Sequence, residues 1–130
     1  MTLTPPFTGR CLCGAVTYRC TEAPLWQGHC HCESCRRATA SPFTSFLGVR
    51  NGTWDWTSGA PATYASSPGV QRDFCPTCGT PMAYSTTRWP DEKHFYAATL
   101  DDPTAFTPER HYHADERLPW VHLADGIPEE

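Results

Sequence analysis

Eight cysteines in a chain of 130 residues constrain this sequence more than any other feature. They fall into spaced groups, Cys11 with Cys13, Cys30 with Cys32 and Cys35, and Cys75 with Cys78, while Cys20 stands alone. The sequence also holds 13 prolines and 9 glycines, so much of the chain must form turns around a modest core. Such a chain needs cross-links, which metal ions or disulfides can provide.

The rest of the sequence favours metal ions over disulfides. Residues 1–10 lack a basic segment followed by an apolar run, and no window approaches the roughly 18 apolar residues of a membrane span. We therefore expect a soluble, cytoplasmic protein with reduced thiols; a secreted protein with a disulfide framework is the alternative. The net charge of −4, with no basic cluster longer than Arg36 and Arg37, argues against nucleic-acid binding.

The hydrophobic pattern predicts a single, mainly β domain over residues 1–130. Apolar and polar residues alternate from Val16 to Cys20, as they do in a half-buried strand. Further strand-like runs, nearly all separated by turn signals, cover residues 45–49, 62–66, 71–74, 82–86 and 94–100. One short helix is predicted over 34–40, where Pro42 would stop it. Four prolines after residue 101 predict a tail of loops and short strands that wraps around the domain.

Two cysteine groups have the spacing of metal-binding turns. Sulfurs that share a tetrahedral zinc lie about 3.8 Å apart, whereas side chains two apart on a strand are separated by about 6.6 Å. The chain must therefore turn at each pair, and Gly14 and Gly79, which follow the pairs directly, are free to adopt the positive φ that such a turn needs. We predict one structural Zn²⁺ held by four cysteines, Cys11, Cys13, Cys75 and Cys78.

The stretch HCHCESCRR, residues 29–37, supplies three thiolates and leaves a fourth tetrahedral position open. An open position is typical of a catalytic zinc, so Cys30, Cys32 and Cys35 are the candidate catalytic residues. Cys20 could close the site as a fourth ligand, but it continues the inward face of its strand, which favours a core role. Zinc is the usual ion for such sites, although iron also occupies them.

Charged and titratable residues near the triad extend this prediction. Arg36 and Arg37 follow Cys35 directly and could offset its charge or bind a substrate carboxylate, unless they are an exposed pair on the short helix. His31 would point away from Cys30 and Cys32 on an extended chain and hydrogen-bond behind the site. The histidines at 111, 113 and 122 could supply a fourth ligand or a proton shuttle, or be ordinary packing or surface residues.

With these motifs in order, the sequence resembles the glutathione-dependent formaldehyde-activating enzyme family, also called the centromere-protein-V-like family. The matching pieces are GRCLCGAVTYRC, GHCHCESCRRATASPF, YASSPGVQRDFCPTCGTPMAY, ATLDDP and PERHYHADERLPWVHLADGIP. The resemblance implies an irregular β architecture held by zinc, with one structural and one catalytic Zn²⁺ on the cysteines assigned above. It also implies carbon–sulfur lyase chemistry, the joining of a small thiol such as glutathione to formaldehyde. Family members usually carry Gly where this chain has Ala40; since Ala adds one methyl group, we expect an ordinary backbone there.

The sequence is compatible with three functions. The first is a zinc enzyme that joins a small thiol to a small aldehyde. The second is a thiol carrier or binding module, which would use the same open zinc without accelerating a reaction. The third is an interaction protein with two closed zinc sites, which the acidic charge and the inward phase of Cys20 disfavour.

Overall fold

A computed structural model describes residues 3–130, so the first two residues of the predicted domain lie outside it. The described residues form one α-helix and otherwise mainly strands, which confirms the predicted class. The strands are β1 Phe7–Arg10, β2 Thr17–Cys20, β3 Trp26–Cys30, β4 Thr44–Arg50, β5 Trp54–Ser58, β6 Ala62–Ser67, β7 Val70–Phe74, β8 Pro81–Thr86, β9 Glu92–Tyr96 and β10 Arg110–Tyr112. The helix α1 covers Glu33–Thr39, and short 3₁₀ turns cover Ala97–Thr99, Pro103–Ala105 and Ala114–Glu116. Within this range, no helix is long and apolar enough to cross a bilayer.

The strands form two sheets of unequal size. The smaller has the order β1-β2-β5, and the larger has the order β10-β3-β4-β9-β8-β7-β6. Every pair is antiparallel except β10, which adds in parallel to the edge strand β3. The tail therefore contributes a strand to the larger sheet, in keeping with the loops and short strands predicted for it.

A small core lies where the two sheets meet. Tyr18 of β2 stacks on Phe95 of β9 with ring centroids 4.1 Å apart, and its buried hydroxyl hydrogen-bonds Thr99 at 2.8 Å. Leu47 and Met82 are fully buried in the same cluster. Because the cluster also contains cysteines of both predicted structural turns, the core and the candidate metal centre are continuous.

Two local differences from the predicted elements have physical causes. The predicted strand over 94–100 ends at Tyr96, because Ala97–Thr99 turns into a 3₁₀ helix that lets Leu100 bridge to Gly9. The sequence pattern did not indicate β1, β3 or β5, and it indicated β10 only as an unplaced short strand of the tail. Gly9 and Gly28 interrupt the side-chain alternation of β1 and β3, and β10 has only three residues.

The predicted helix is confirmed, but its end differs from expectation. Ala40 has φ 53° and ψ 37°, in the left-handed region, and its backbone N–H donates to the carbonyl of Arg36. The expectation of an ordinary backbone at Ala40 is therefore wrong. A helix that ends in this conformation usually does so at Gly, and a residue with a Cβ there costs about 1 kcal/mol.

Replacing Ala40 with Gly should stabilise the protein, because Gly adopts positive φ without the steric cost. We expect the free energy of unfolding to rise by about 1 kcal/mol. Ala38→Gly, at an exposed position inside the same helix, is the matched control and should lower it by about 1 kcal/mol. Denaturant unfolding at constant metal content measures both, and a loss of stability in both variants would contradict the left-handed assignment.

Candidate functional site

The first cysteine cluster forms where two turns meet, one between β1 and β2 and the other between β7 and β8. The sulfur of Cys13 lies 3.7 Å from that of Cys11 and 3.8 Å from that of Cys75, and Cys78 completes a group whose ligand atoms all lie within 4.8 Å of one another. These separations fit a tetrahedral zinc, for which sulfurs lie about 3.8 Å apart. The cluster could therefore hold the predicted structural ion.

The backbone of both turns is shaped to bring these sulfurs together. Gly14 and Gly79 have φ values of 81° and 80°, as the sequence predicts. The backbone N–H groups of Val16 and Cys78 point at the sulfurs of Cys11 and Cys75, at 3.3 and 3.5 Å. Hydrogen bonds to sulfur favour the thiolate, which is the form that binds a metal.

The second cluster contains Cys30, Cys32 and Cys35, whose sulfurs also lie within 4.8 Å of one another. Cys30 ends β3, and Cys32 caps α1, its sulfur accepting the N–H of Cys35 at 3.4 Å. Cys35 lies one turn later on the same helix face. Among the described residues this group contains no fourth cysteine sulfur, histidine nitrogen or carboxylate, so a tetrahedral ion here would keep one position for an outside ligand.

An arginine from β7 supplies positive charge to this cluster. The Nη1 and Nη2 atoms of Arg72 lie 3.8 and 3.9 Å from the Cys35 sulfur. Hydrogen bonds from the Cys30 and Cys32 thiols, together with the charge of Arg72, lower the pKa of Cys35 to about 3. At neutral pH the group therefore contains a thiolate next to a guanidinium.

Three further contacts fix the guanidinium of Arg72. It donates to the Tyr96 hydroxyl at 3.3 Å and to the Ser66 hydroxyl at 3.1 Å, and it lies 5.0 Å from the centre of the Tyr84 ring. Arg72 is the main residue of the site that the sequence analysis missed. Its position depends on strand pairing, since Arg72 is paired with Tyr84 across β7 and β8, and the local sequence QRDF carries no signal for it.

Two cavities open onto the second cluster. One, of about 590 Å³, is walled largely by aromatic rings, and the other, of about 620 Å³, is a groove lined mainly by polar residues such as Ser34, Arg37 and Ser66. Both are lined by Cys32, Cys35, Tyr84 and His113. A molecule in either cavity can therefore reach the same two sulfurs.

The model of the family described as "Glutathione-dependent formaldehyde-activating enzyme" matches residues 6–116. This chain belongs to that family.

Two relatives and one solved structure are similar to this chain, each at 32% sequence identity or less. An uncharacterised lyase of Schizosaccharomyces pombe is 32% identical over 83 residues, which are 64% of this chain and 60% of that protein's own length. A Halomonas elongata protein, provisionally named a glutathione-dependent formaldehyde-activating enzyme, is 28% identical over 125 residues, covering 88% of this chain and 79% of that one. The crystal structure of a Rhodobacter sphaeroides protein has the same fold, with a TM-score of 0.62, 21% identity, and coverage of 95% of this chain and 99% of that one.

The predicted arginines of this family member lie beside the cluster rather than against its sulfurs. Arg36 donates from Nε to the carbonyl of His31 at 3.2 Å. Arg37 is exposed, pairs with Glu33 at 2.8 Å and lines the polar groove. Binding of a substrate carboxylate by this pair stays a prediction.

Of the four candidate histidines, two lie behind the second cluster, one lines the cavities and one is exposed. His31 points away from the cluster, as expected, and its buried Nε2 lies 2.9 Å from Nδ1 of His111, whose Nε2 lies 3.0 Å from Asp125. The carboxylate of Asp125 accepts from Nε2 of His111, and the other ring nitrogen of His111 shares a hydrogen bond with Nε2 of His31. Burial lowers the pKa of His31 to about 4, so its ring is neutral at neutral pH, and with His111 it anchors the Cys30–Cys32 loop from behind. His113 lines both cavities, and His122 is exposed.

Cys20 lies in the hydrophobic core and belongs to neither sulfur cluster of the described residues. It is fully buried, and burial raises the pKa of its thiol to about 12. A protonated thiol in apolar surroundings is typical of a small core side chain and not of a metal ligand.

Cys20→Ala should leave the metal content unchanged while lowering the free energy of unfolding by about 1 kcal/mol, since it removes one buried atom from the core. Elemental analysis of protein purified with a reductant measures the ion count per chain. Cys35→Ala is the matched control and should lose one ion. Loss of an ion from Cys20→Ala would instead make Cys20 the fourth ligand and close the second site.

Proposed function

We propose that this protein is a carbon–sulfur lyase of the S-(hydroxymethyl)glutathione synthase type. It would join glutathione, or a similar small thiol, to formaldehyde or a related aldehyde. Family membership supports glutathione-dependent formaldehyde activation. The observation that carries the specific reaction is a cluster of three cysteines, open to two cavities, that offers no fourth ligand among the described residues.

The proposal includes two Zn²⁺ ions per chain. Cys11, Cys13, Cys75 and Cys78 would hold the structural ion, and Cys30, Cys32 and Cys35 the catalytic one; both sets have the donor type and the spacing that zinc prefers. When bound at the second cluster, Zn²⁺ would keep a substrate thiol deprotonated and polarise a carbonyl oxygen. The unpaired state of all eight cysteines fits a reducing compartment such as the cytoplasm.

The protein's own side chains would orient and stabilise the reactants. Arg72 keeps a positive charge at the Cys35 sulfur, where an incoming thiolate adds further negative charge. The polar groove, with Arg37 and several serines, can accept the carboxylates and amides of a tripeptide. The aromatic wall on the other side would give the reacting carbon largely apolar neighbours. Both reactants would thereby be held next to the same sulfurs, which supplies proximity.

The reaction is a simple addition. The glutathione sulfur gives an electron pair to the formaldehyde carbon, the carbonyl π pair moves to oxygen, and oxygen takes up the proton that the thiol released to solvent. No oxidant or reductant is needed. Catalysis therefore requires only a thiolate, an accessible carbonyl and charge compensation.

Exchange between free and hydroxymethylated glutathione, followed by NMR, tests the proposal. Protein at catalytic concentration should accelerate exchange, and Cys35→Ser should abolish both acceleration and glutathione binding, because it removes one of three metal-binding sulfurs. Cys20→Ser, whose sulfur lies in the core, is the control and should retain both. Binding without acceleration would leave the carrier function standing in place of the enzyme.

Arg72→Met should slow the exchange by about 10- to 100-fold, the effect of losing a charged hydrogen bond worth about 1.5–3 kcal/mol. Arg72→Lys keeps the charge but not the forked contact and should recover part of the rate. Arg19→Met, at an exposed arginine of β2, should be neutral. Equal rates in Arg72→Met and wild-type protein, at equal metal content, would show that Arg72 does not contribute to the reaction.

A further inference from the structure

The aromatic cavity is much larger than formaldehyde requires. Its volume is about 590 Å³, within the range of about 300–1,000 Å³ typical of sites for drug-sized ligands. A one-carbon aldehyde is comparable in size with one or two water molecules, each of which takes about 30 Å³ in the liquid. The cavity exceeds that by about an order of magnitude, so its walls are shaped for something else.

The wall next to the sulfurs is built from large rings. Five aromatic side chains line the cavity, Trp26, Phe46, Tyr84, Trp89 and Tyr112. Among these rings, Trp26 and Tyr112 meet edge to face at 5.4 Å, and Phe46 and Tyr84 lie 5.9 Å apart. The indole Nε1 of Trp26 donates to Glu92 at 2.9 Å, which fixes the orientation of that ring.

Two glycines leave the space that these rings occupy. A Cβ on Gly48 would lie 2.1 Å from Nε1 of Trp26, and one on Gly28 would lie 2.6 Å from the Tyr112 ring. Both contacts are too close for any side chain. Gly48 is paired with Trp26 across β3 and β4, and Tyr112 is diagonal to Gly28 across β10 and β3. Each glycine therefore lets a ring approach the backbone of the neighbouring strand closely.

Charged groups of the cavity lie at its rim or are already paired. Arg88 and Glu130 are exposed, and Arg88 lies over the Trp89 ring. Glu92 accepts hydrogen bonds from Trp26 and His94. Burial lowers the pKa of His94 and favours its neutral form. The surface between the rim and the sulfurs is therefore aromatic, which suits a flat apolar group rather than the charged ends of glutathione.

We propose that the carbonyl substrate of this protein is an aldehyde that carries an aromatic ring. The ring would lie in the aromatic cavity, glutathione would lie in the polar groove, and the two would meet at Cys32 and Cys35. This inference rests on the proposed function and extends it from formaldehyde to a larger aldehyde that carries an aromatic ring. The chemistry is the same addition: a sulfur–carbon bond forms, the carbonyl π pair moves to oxygen, and the product is a hemithioacetal with no change in oxidation state.

Adduct formation between glutathione and two aldehydes, phenylacetaldehyde and acetaldehyde, tests the inference, with formaldehyde as the reference. For each aldehyde the catalysed rate is divided by the uncatalysed rate, which removes the difference in intrinsic reactivity. Acceleration should be at least about tenfold greater for phenylacetaldehyde than for acetaldehyde, the discrimination that an apolar pocket of this kind supplies.

Two variants locate the preference in the cavity. Tyr112→Leu and Trp89→Ala should each lower the ratio of phenylacetaldehyde to acetaldehyde acceleration by about tenfold. Trp89 is 51% exposed, so we expect Trp89→Ala to fold. It therefore tests the preference even if Tyr112→Leu does not fold. Tyr64→Leu, at a 63% exposed tyrosine of β6 outside the cavity, should leave the ratio unchanged.

The outcomes separate this inference from the proposed function. Acceleration with formaldehyde but no preference for phenylacetaldehyde would overturn the inference and leave the proposed function standing. No acceleration with any of the three aldehydes would overturn both. A preference that persists in Tyr112→Leu and Trp89→Ala would also overturn the inference, because the ring would then bind elsewhere.

Discussion

The approach of two cysteine turns, far apart in the chain, holds the two sheets of this protein together. Cys11 and Cys13 belong to the turn of the smaller sheet, and Cys75 and Cys78 belong to a turn of the larger one. Sulfurs less than 4 Å apart cannot all be thiolates without a cation between them, because like charges at that distance repel strongly. The core formed by Tyr18 and Phe95 packs directly beside this junction. A metal ion at the junction would therefore add a cross-link to the contacts that this core already makes between the sheets.

The face of the larger sheet that carries the second cluster is organised by cross-strand pairing. Trp26, Gly48, His94, Tyr84 and Arg72 form one continuous row of paired positions over β3, β4, β9, β8 and β7. Side chains in such a row share a face of the sheet. The aromatic wall at one end and the guanidinium at the other are thus consequences of register. A slip of one residue on any of these strands would turn its side chain away from the sulfurs.

What could be predicted from the sequence depended on how local the signal was. The turns at Gly14 and Gly79 and the helix that presents Cys35 follow from neighbouring residues, and their spacing indicated both clusters. Arg72 lies 37 residues from Cys35 and reaches it only through strand pairing, which no pattern within β7 encodes. Ala40 is a local feature that the sequence did not indicate. Ala differs from Gly by only one methyl group, so the residue type gave no sign of the left-handed backbone conformation at this position.

The parallel strand β10 has a consequence for how the site comes into being. The cysteines of both clusters lie within residues 11–78, whereas Tyr112, His111 and Asp125 are encoded after them. A chain emerging from the ribosome exposes both sulfur clusters before these later residues exist. Ion capture can then begin while the loop of Cys30 and Cys32 still lacks its histidine anchor and the cavity still lacks one wall. The order of synthesis thus makes the sulfur clusters available first and completes the wall of the aromatic cavity last.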